Sequence, residues 1–241
     1  MSFNLGNNQP DQYGYYDEGK LAQVLPDAMV RVYTWMGMGL LLTAVVAWFS
    51  QDLLLQVLQA FPYAMLVAFA IEIGIVIWLG RRIMTMDPEI ALAGFLAYAA
   101  INGFTMAFIF LAYELGSVAL VFGITTAMFL SMSVIGYTTK TDLSSWGSYL
   151  MMGVIGVIVA SIANFWLQSP ILYWIVSYAG VAIFLALTVY DTQKIKDMTI
   201  HALRSGNEDD VKRVGVRGAL SLYLDFINLF IFLLRILGRR K

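Results

Sequence analysis

The chain has 241 residues, 60% of them hydrophobic and 13% charged, with a mean hydropathy of +0.74. Soluble domains carry roughly 25% charged residues, so this composition excludes a water-soluble globule, and its long apolar blocks exclude disorder. A net charge of −1, no cysteine and one histidine, His201, exclude a basic nucleic-acid surface, disulfides, thiol chemistry and zinc sites built on Cys or several His.

Residues 1–29 read as a polar cytoplasmic tail with no basic-then-apolar signal peptide, and residues 30–241 as a single transmembrane domain. A helix crossing about 30 Å of hydrocarbon needs about 20 apolar residues. Seven segments qualify, near residues 30–50, 62–80, 90–113, 118–138, 147–167, 171–190 and 218–237. Tyr33, Trp35, Trp48, Tyr63, Trp78, Tyr113, Trp146, Trp166 and Tyr190 fall near their ends, where amphipathic rings favour the headgroup region. Connections such as Leu167-Gln168-Ser169-Pro170 are short, which predicts three antiparallel hairpins around a central C-terminal helix in an all-α membrane fold. The charged stretch 191–217 is expected to be a partly helical loop that turns at Ser205-Gly206-Asn207-Glu208.

Lysines and arginines concentrate in alternate connections, at Arg81, Arg82, Lys140, Lys194, Lys196, Arg204, Lys212, Arg213 and Arg217. The positive-inside tendency then places the N-terminus in the cytoplasm. Seven full spans put Arg235, Arg239, Arg240 and Lys241 on the other side, against that tendency, so the last segment either crosses or re-enters. Its length favours crossing.

Ionised groups within a bilayer cost about 2.5–3.5 kcal/mol on insertion scales, which makes each a functional candidate. Asp225 lies inside the seventh segment, and Ser221, Asp225, Asn228, Phe232 and Arg235 fall within about 80° of helical arc. A lipid-facing helix does not carry such a stripe, so this one belongs at the centre of the bundle. Asp191 closes the sixth segment on the side where the seventh begins, so the two aspartates are expected at similar depth. Close together and poorly solvated, they cannot both ionise cheaply, and form a proton-sensitive element. The competing reading pairs Asp191 with Lys194 and leaves Asp225 as a bond between helices. Arg82, or else Arg81, is placed to act as a counter-ion, or simply anchors the membrane surface. Glu72, in the second segment, reads either as lining a cavity or as a protonated structural group. Asn102 and Asn164 read as interhelical hydrogen-bond formers, and His201 as a residue of the solvated loop.

The segments Tyr190-Asp191-Thr192-Gln193-Lys194-Ile195, Gly136-Tyr137-Thr138-Thr139-Lys140-Thr141-Asp142-Leu143 and Ala219-Leu220-Ser221-Leu222-Tyr223-Leu224-Asp225-Phe226-Ile227-Asn228-Leu229-Phe230 resemble the Bax inhibitor-1 (lifeguard-type) family, in its bacterial inner-membrane branch. The resemblance covers nearly all the chain beyond the tail. It implies a seven-helix fold with a central last helix and a pH-sensitive calcium leak of the bacterial inner membrane. By the same resemblance Asp191 and Asp225 form the pH sensor and a weak, transient calcium site, and a basic residue after the second helix, Arg82 or Arg81, latches the pair.

The expected function is therefore a calcium leak gated by protonation of Asp191 and Asp225, with Glu72, Asn228 and Ser221 as candidate pore-lining groups. Calcium is then the transported ion, protons and the bilayer are its other partners, and neither cofactor nor nucleic acid is expected. The alternative is a non-transporting regulator of another membrane protein or a membrane-bound protease, since some bacterial relatives are linked to such modulation. An intramembrane aspartyl protease also uses two aspartates on consecutive helices, but Leu222-Tyr223-Leu224-Asp225 lacks the glycines that let backbone and substrate approach. Enzymatic activity is not expected.

Overall fold

The computed structural model describes residues 18–241, and the first part of the expected tail, residues 1–17, lies outside them. Eight α-helices follow in order: α1 (Glu18–Phe49), α2 (Gln51–Ala60), α3 (Ala64–Arg82), α4 (Pro88–Ala112), α5 (Leu115–Thr138), α6 (Trp146–Leu167), α7 (Pro170–Ser205) and α8 (Glu208–Leu237). All but α2 are long and apolar enough to span a membrane, which gives the seven spans expected from hydropathy. The chain is an all-α, multi-pass membrane protein.

Local sequence sets the helix ends. Asp87 caps α4 by accepting the Glu89 N–H at 2.9 Å, with Pro88 in the first turn, where the missing N–H costs nothing. Gln168, at φ 49°, ends α6, and Ser169 with Pro170 starts α7 at once. Gly206, at φ 70°, ends α7 in a left-handed conformation natural to glycine, and Asn207 caps α8 by accepting the Asp209 N–H at 3.0 Å.

The turn therefore falls where the sequence puts it, but residues 191–217 are not a loop. Helix α7 continues beyond Asp191 to Ser205, and α8 begins ten residues before Gly218, at Glu208. Buried Ile195, Ala202, Leu203, Val214 and Val216 carry the core beyond the apolar blocks, which a hydropathy window averages away among the charges. At the other end of the bundle, α2 is a short amphipathic helix anchored by Leu54, in the connection between the first two spans.

Helix α8 is the central one: 61% of its most apolar window is buried, against 11% for α3 and 6% for α6. It packs mainly on α7, then α1, α5 and α4. Of the three hairpins expected around it, only α6–α7 packs extensively along its own seam; α1 lies chiefly on α4, and α5 on α7. The far end of α8 meets the α4–α5 connection, where Glu114 N–H donates to the Arg239 carbonyl at 3.0 Å and Lys241 N–H to the Ala112 carbonyl at 3.1 Å. Its near end meets the start of α4, where Arg213 Nε donates to the Met86 carbonyl at 2.7 Å. Helix α8 thus runs the full length of α4 and crosses the bundle without re-entering. Two of the four basic residues at its end have local partners: Lys241 Nζ donates to the Phe110 carbonyl at 2.7 Å, and Arg240 donates to the Tyr173 hydroxyl at 3.2 Å.

Candidate functional site

Three contacts fix the antiparallel register of α7 and α8: Gly180 against the Phe232 ring, Asp191 with Ser221, and Ile195 against Gly218. Glycine is required at both positions, since a Cβ on Gly180 would lie 2.6 Å from Phe232 and one on Gly218 would lie 2.9 Å from Ile195. This register brings Asp191 to Ser221, whose hydroxyl donates to Asp191 Oδ2 at 2.6 Å. One turn deeper, Asp225 faces the Leu187–Thr188 level of α7. It is 4% exposed, and its Oδ2 has no hydrogen-bond partner. Asp191 is the ionisable group whose charge bears on it. Asp191 and Asp225 thus lie about one helical turn apart along the α7–α8 seam, with Ser221 bonded to Asp191.

Beside Asp191 a cleft of about 70 Å³ is lined by Lys194, Met198, Arg217, Gly218 and Ser221. Liquid water occupies about 30 Å³ per molecule, so the cleft fits one or two waters or a small ion. Organic substrates take pockets of roughly 300 Å³ or more. Among the described residues no three His, Cys, Asp or Glu side chains converge on a metal-sized point. A cation passing the pair would therefore find at most two carboxylates and the Ser221 hydroxyl, completed by water.

The cations that face Asp191 are Lys194 and Arg217. Arg81 and Arg82, the expected latch, are exposed at the end of α3 and form no ion pair with either aspartate. The chain leaves α3 through a 3-10 turn, Ile83–Thr85, whose buried Ile83 faces inward while both guanidiniums face out. Lys194 lies 5.4 Å above the Tyr190 ring rather than in a salt bridge with Asp191. Arg217 escaped the sequence reading, although its spacing to Ser221 and Asp225, four residues at each step, places all three along one face.

Two more buried oxygens lack partners among the described residues, Ser133 Oγ on α5 and Thr192 Oγ1 on α7. Gly136 lets these helices meet closely there: a Cβ in its place would lie 2.9 Å from Thr192 Cβ.

The rest of the expected stripe divides. Asn228 turns back to the Leu224 carbonyl of its own helix at 2.8 Å, and Arg235 stacks on Phe232 at 5.1 Å, so neither joins the aspartates. Glu72 lies elsewhere, buried between α3 and α4. Thr105 Oγ1 donates to it at 2.7 Å and Asn102 Nδ2 at 3.3 Å. Asn102 in turn accepts the Tyr223 hydroxyl at 3.0 Å, and that hydroxyl lies 2.7 Å from Thr43 Oγ1 of α1. Asn102 is thus an interhelical bridge as expected, whereas Asn164 caps locally, accepting the Ser169 N–H at 3.0 Å. His201 is exposed on α7 rather than in a loop. Tyr223 was missed because tyrosines were assigned to the membrane surface; its signal is its position two residues from Asp225, mid-segment.

Residues 25–241 match the sequence model of the family described as inhibitor of apoptosis-promoting Bax1. Among similar proteins, the inner membrane protein YbhL of Escherichia coli (strain K12) is 42% identical over 88% of this chain and 92% of its own length. An uncharacterized protein of Rickettsia prowazekii is 36% identical over 94% and 93%, and an uncharacterized membrane protein of Streptococcus pyogenes is 38% identical over 87% and 91%.

Proposed function

Since the chain belongs to the Bax inhibitor-1 family, we propose that it is a pH-sensitive calcium leak of the bacterial inner membrane, gated at Asp191 and Asp225. The observation that carries this reading is Asp225 itself, a carboxylate sealed in the core with one oxygen unpartnered, beside a second aspartate that lines a small cleft. Unpaired buried carboxylates are costly, and a fold that serves only for stability has no use for one. Calcium requires six to eight oxygen ligands, so two carboxylates and a hydroxyl suit weak, hydrated transit rather than storage.

In the closed state, ionised Asp191 accepts the Ser221 hydroxyl and attracts Lys194 and Arg217, which draws the α7–α8 seam together at the cleft. Protonation of Asp191 removes that attraction. The seam then loosens, and water and a cation reach Asp225. In this account the latch is Arg217 with Lys194 rather than Arg81 or Arg82. The basic connections face the cytoplasm, so the cleft opens on that side. Calcium flux into liposomes holding the purified protein tests the reading; acid-opened flux that persisted unchanged in both Asp191→Asn and Asp225→Asn would remove the pair from the mechanism.

A further inference from the structure

On the face of α8 turned away from Asp225, a chain of short polar contacts runs from α3 through α4 and α8 to α1. It links Glu72 Oε2 to Asn102 at 3.3 Å, Asn102 to the Tyr223 hydroxyl at 3.0 Å, Tyr223 to Thr43 Oγ1 at 2.7 Å, and Thr43 to the Ala99 carbonyl at 2.8 Å. On the other side of Glu72, the single Thr105 hydroxyl hydrogen is shared between Glu72 Oε1 at 2.7 Å and the Asn102 backbone carbonyl at 2.9 Å. All five side chains are buried. Each contact needs one hydrogen, and each hydroxyl can supply only one.

With Glu72 ionised, the chain is one hydrogen short. Tyr223 donates to Asn102, and Thr43 can then serve either Tyr223 or the Ala99 carbonyl, which leaves two oxygens within 2.8 Å of each other with nothing between them. A proton on Glu72 Oε2 removes the deficit. Asn102 then takes its other amide orientation, which is indistinguishable in heavy-atom positions. Glu72 donates to Asn102 Oδ1, Asn102 Nδ2 to Tyr223, Tyr223 to Thr43, and Thr43 to Ala99, so that every contact between Glu72 Oε2 and the Ala99 carbonyl is filled in one direction.

We propose that Glu72 is a second proton-binding site of this protein, separate from the aspartates, with Asn102, Tyr223 and Thr43 as the positioning residues that specify its protonated form. The titratable neighbours of Glu72 are Tyr98 on α4 and Tyr223 on α8, and no Lys, Arg or His side chain is paired with it among the described residues. Helix α3 rests on little besides α4 and otherwise exposes its surface. Glu72 is its one buried polar anchor to the bundle.

Infrared difference spectroscopy of the purified protein in lipid reads the proton directly, through the carbonyl stretch of a protonated carboxylic acid. At neutral pH the expected result is a band that survives Asp225→Asn, vanishes in Glu72→Gln and shifts in Tyr223→Phe. Glutamine offers an amide hydrogen where the acid has its proton, so Glu72→Gln is expected to keep the parent's Tm, whereas Glu72→Ala lowers it. A neutral-pH spectrum in which Glu72→Gln removes only carboxylate bands overturns the proposal, as does a Glu72 band indifferent to Tyr223→Phe. Neither result bears on the aspartate pair.

Discussion

Replacing Gly136 with alanine tests the closeness of α5 and α7 next to the aspartates. The new Cβ would press on the Val189 carbonyl oxygen, and would lie 2.9 Å from Thr192 Cβ and 3.0 Å from Val189 Cα. Two of these atoms are backbone, so no side chain can rotate away. Restoring a carbon–carbon contact of about 3.5 Å means parting the helices by roughly 0.6 Å, and overpacking of this kind costs about 1–3 kcal/mol. Alanine also returns about 1 kcal/mol of helix propensity. Gly123, on the same helix, has nothing within 4 Å of its Cβ position, so Gly123→Ala shares that gain without the clash. The difference between the two variants isolates the overpacking, about 1–3 kcal/mol, or a Tm lower by several degrees for Gly136→Ala at about 2–4 °C per kcal/mol. Thermal unfolding of both in one detergent measures it. Equal Tm shifts would refute the close crossing of α5 and α7 at Thr192.

Tyr223→Phe removes a hydroxyl shared between Thr43 and Asn102 and is expected to cost about 0.6–1.7 kcal/mol, the range for interhelical bonds in membranes; no loss in a denaturant titration would contradict the network. Arg217→Gln is expected to raise calcium leak at neutral pH, while Arg82→Gln leaves it unchanged; the reverse pattern would restore the expected latch. Outside the membrane, the Ser144 backbone N–H, with help from its hydroxyl, holds the Asp142 carboxyl below the usual carboxylate range. That bond is intact at neutral pH and is lost as pH falls through the lowered value, so exchange of the Ser144 amide should change its protection only below about pH 4. Loss of protection already near neutrality would contradict it. The chain contains no cysteine, so single cysteines at Asn207 and at Gln168 report their own sides alone. A membrane-impermeant thiol reagent added outside intact cells is expected to label the second and spare the first, and the opposite result would invert the proposed orientation.

Hydropathy was enough to place seven spans, because a bilayer sets their length, and the polar stripe of the last segment was enough to put α8 at the centre. The similar depth of Asp191 and Asp225 followed from the sixth segment ending on the side where the seventh begins. Three features were not legible. The helical extensions from Asp191 to Ser205 and from Glu208 to Gly218 alternate charged and buried residues, so a window tuned to lipid reads them as loop. The counter-ion was expected on α3 because Arg81 and Arg82 end that segment on the side where the aspartates lie, yet the backbone turns after Arg82 and leaves both exposed. Arg217 was nearer all along, but its approach to Asp191 depends on the α7–α8 register, set by Gly180 and Gly218, whose packing role no single-helix pattern reveals. The Glu72 network joins four helices, and only the packing order, with α1 on α4 rather than on α3, brings its members together.

The central claim is that Asp191 and Asp225 gate calcium. Protein in liposomes loaded with a calcium indicator, measured at about pH 6 and pH 8, where a coupled carboxylate pair can titrate, addresses it directly when run beside Asp225→Asn. The account predicts protein-dependent influx that is greater at the lower pH and a variant whose flux no longer responds to pH. No influx at either pH from folded, inserted protein, or an unaltered pH response in Asp225→Asn, would contradict it.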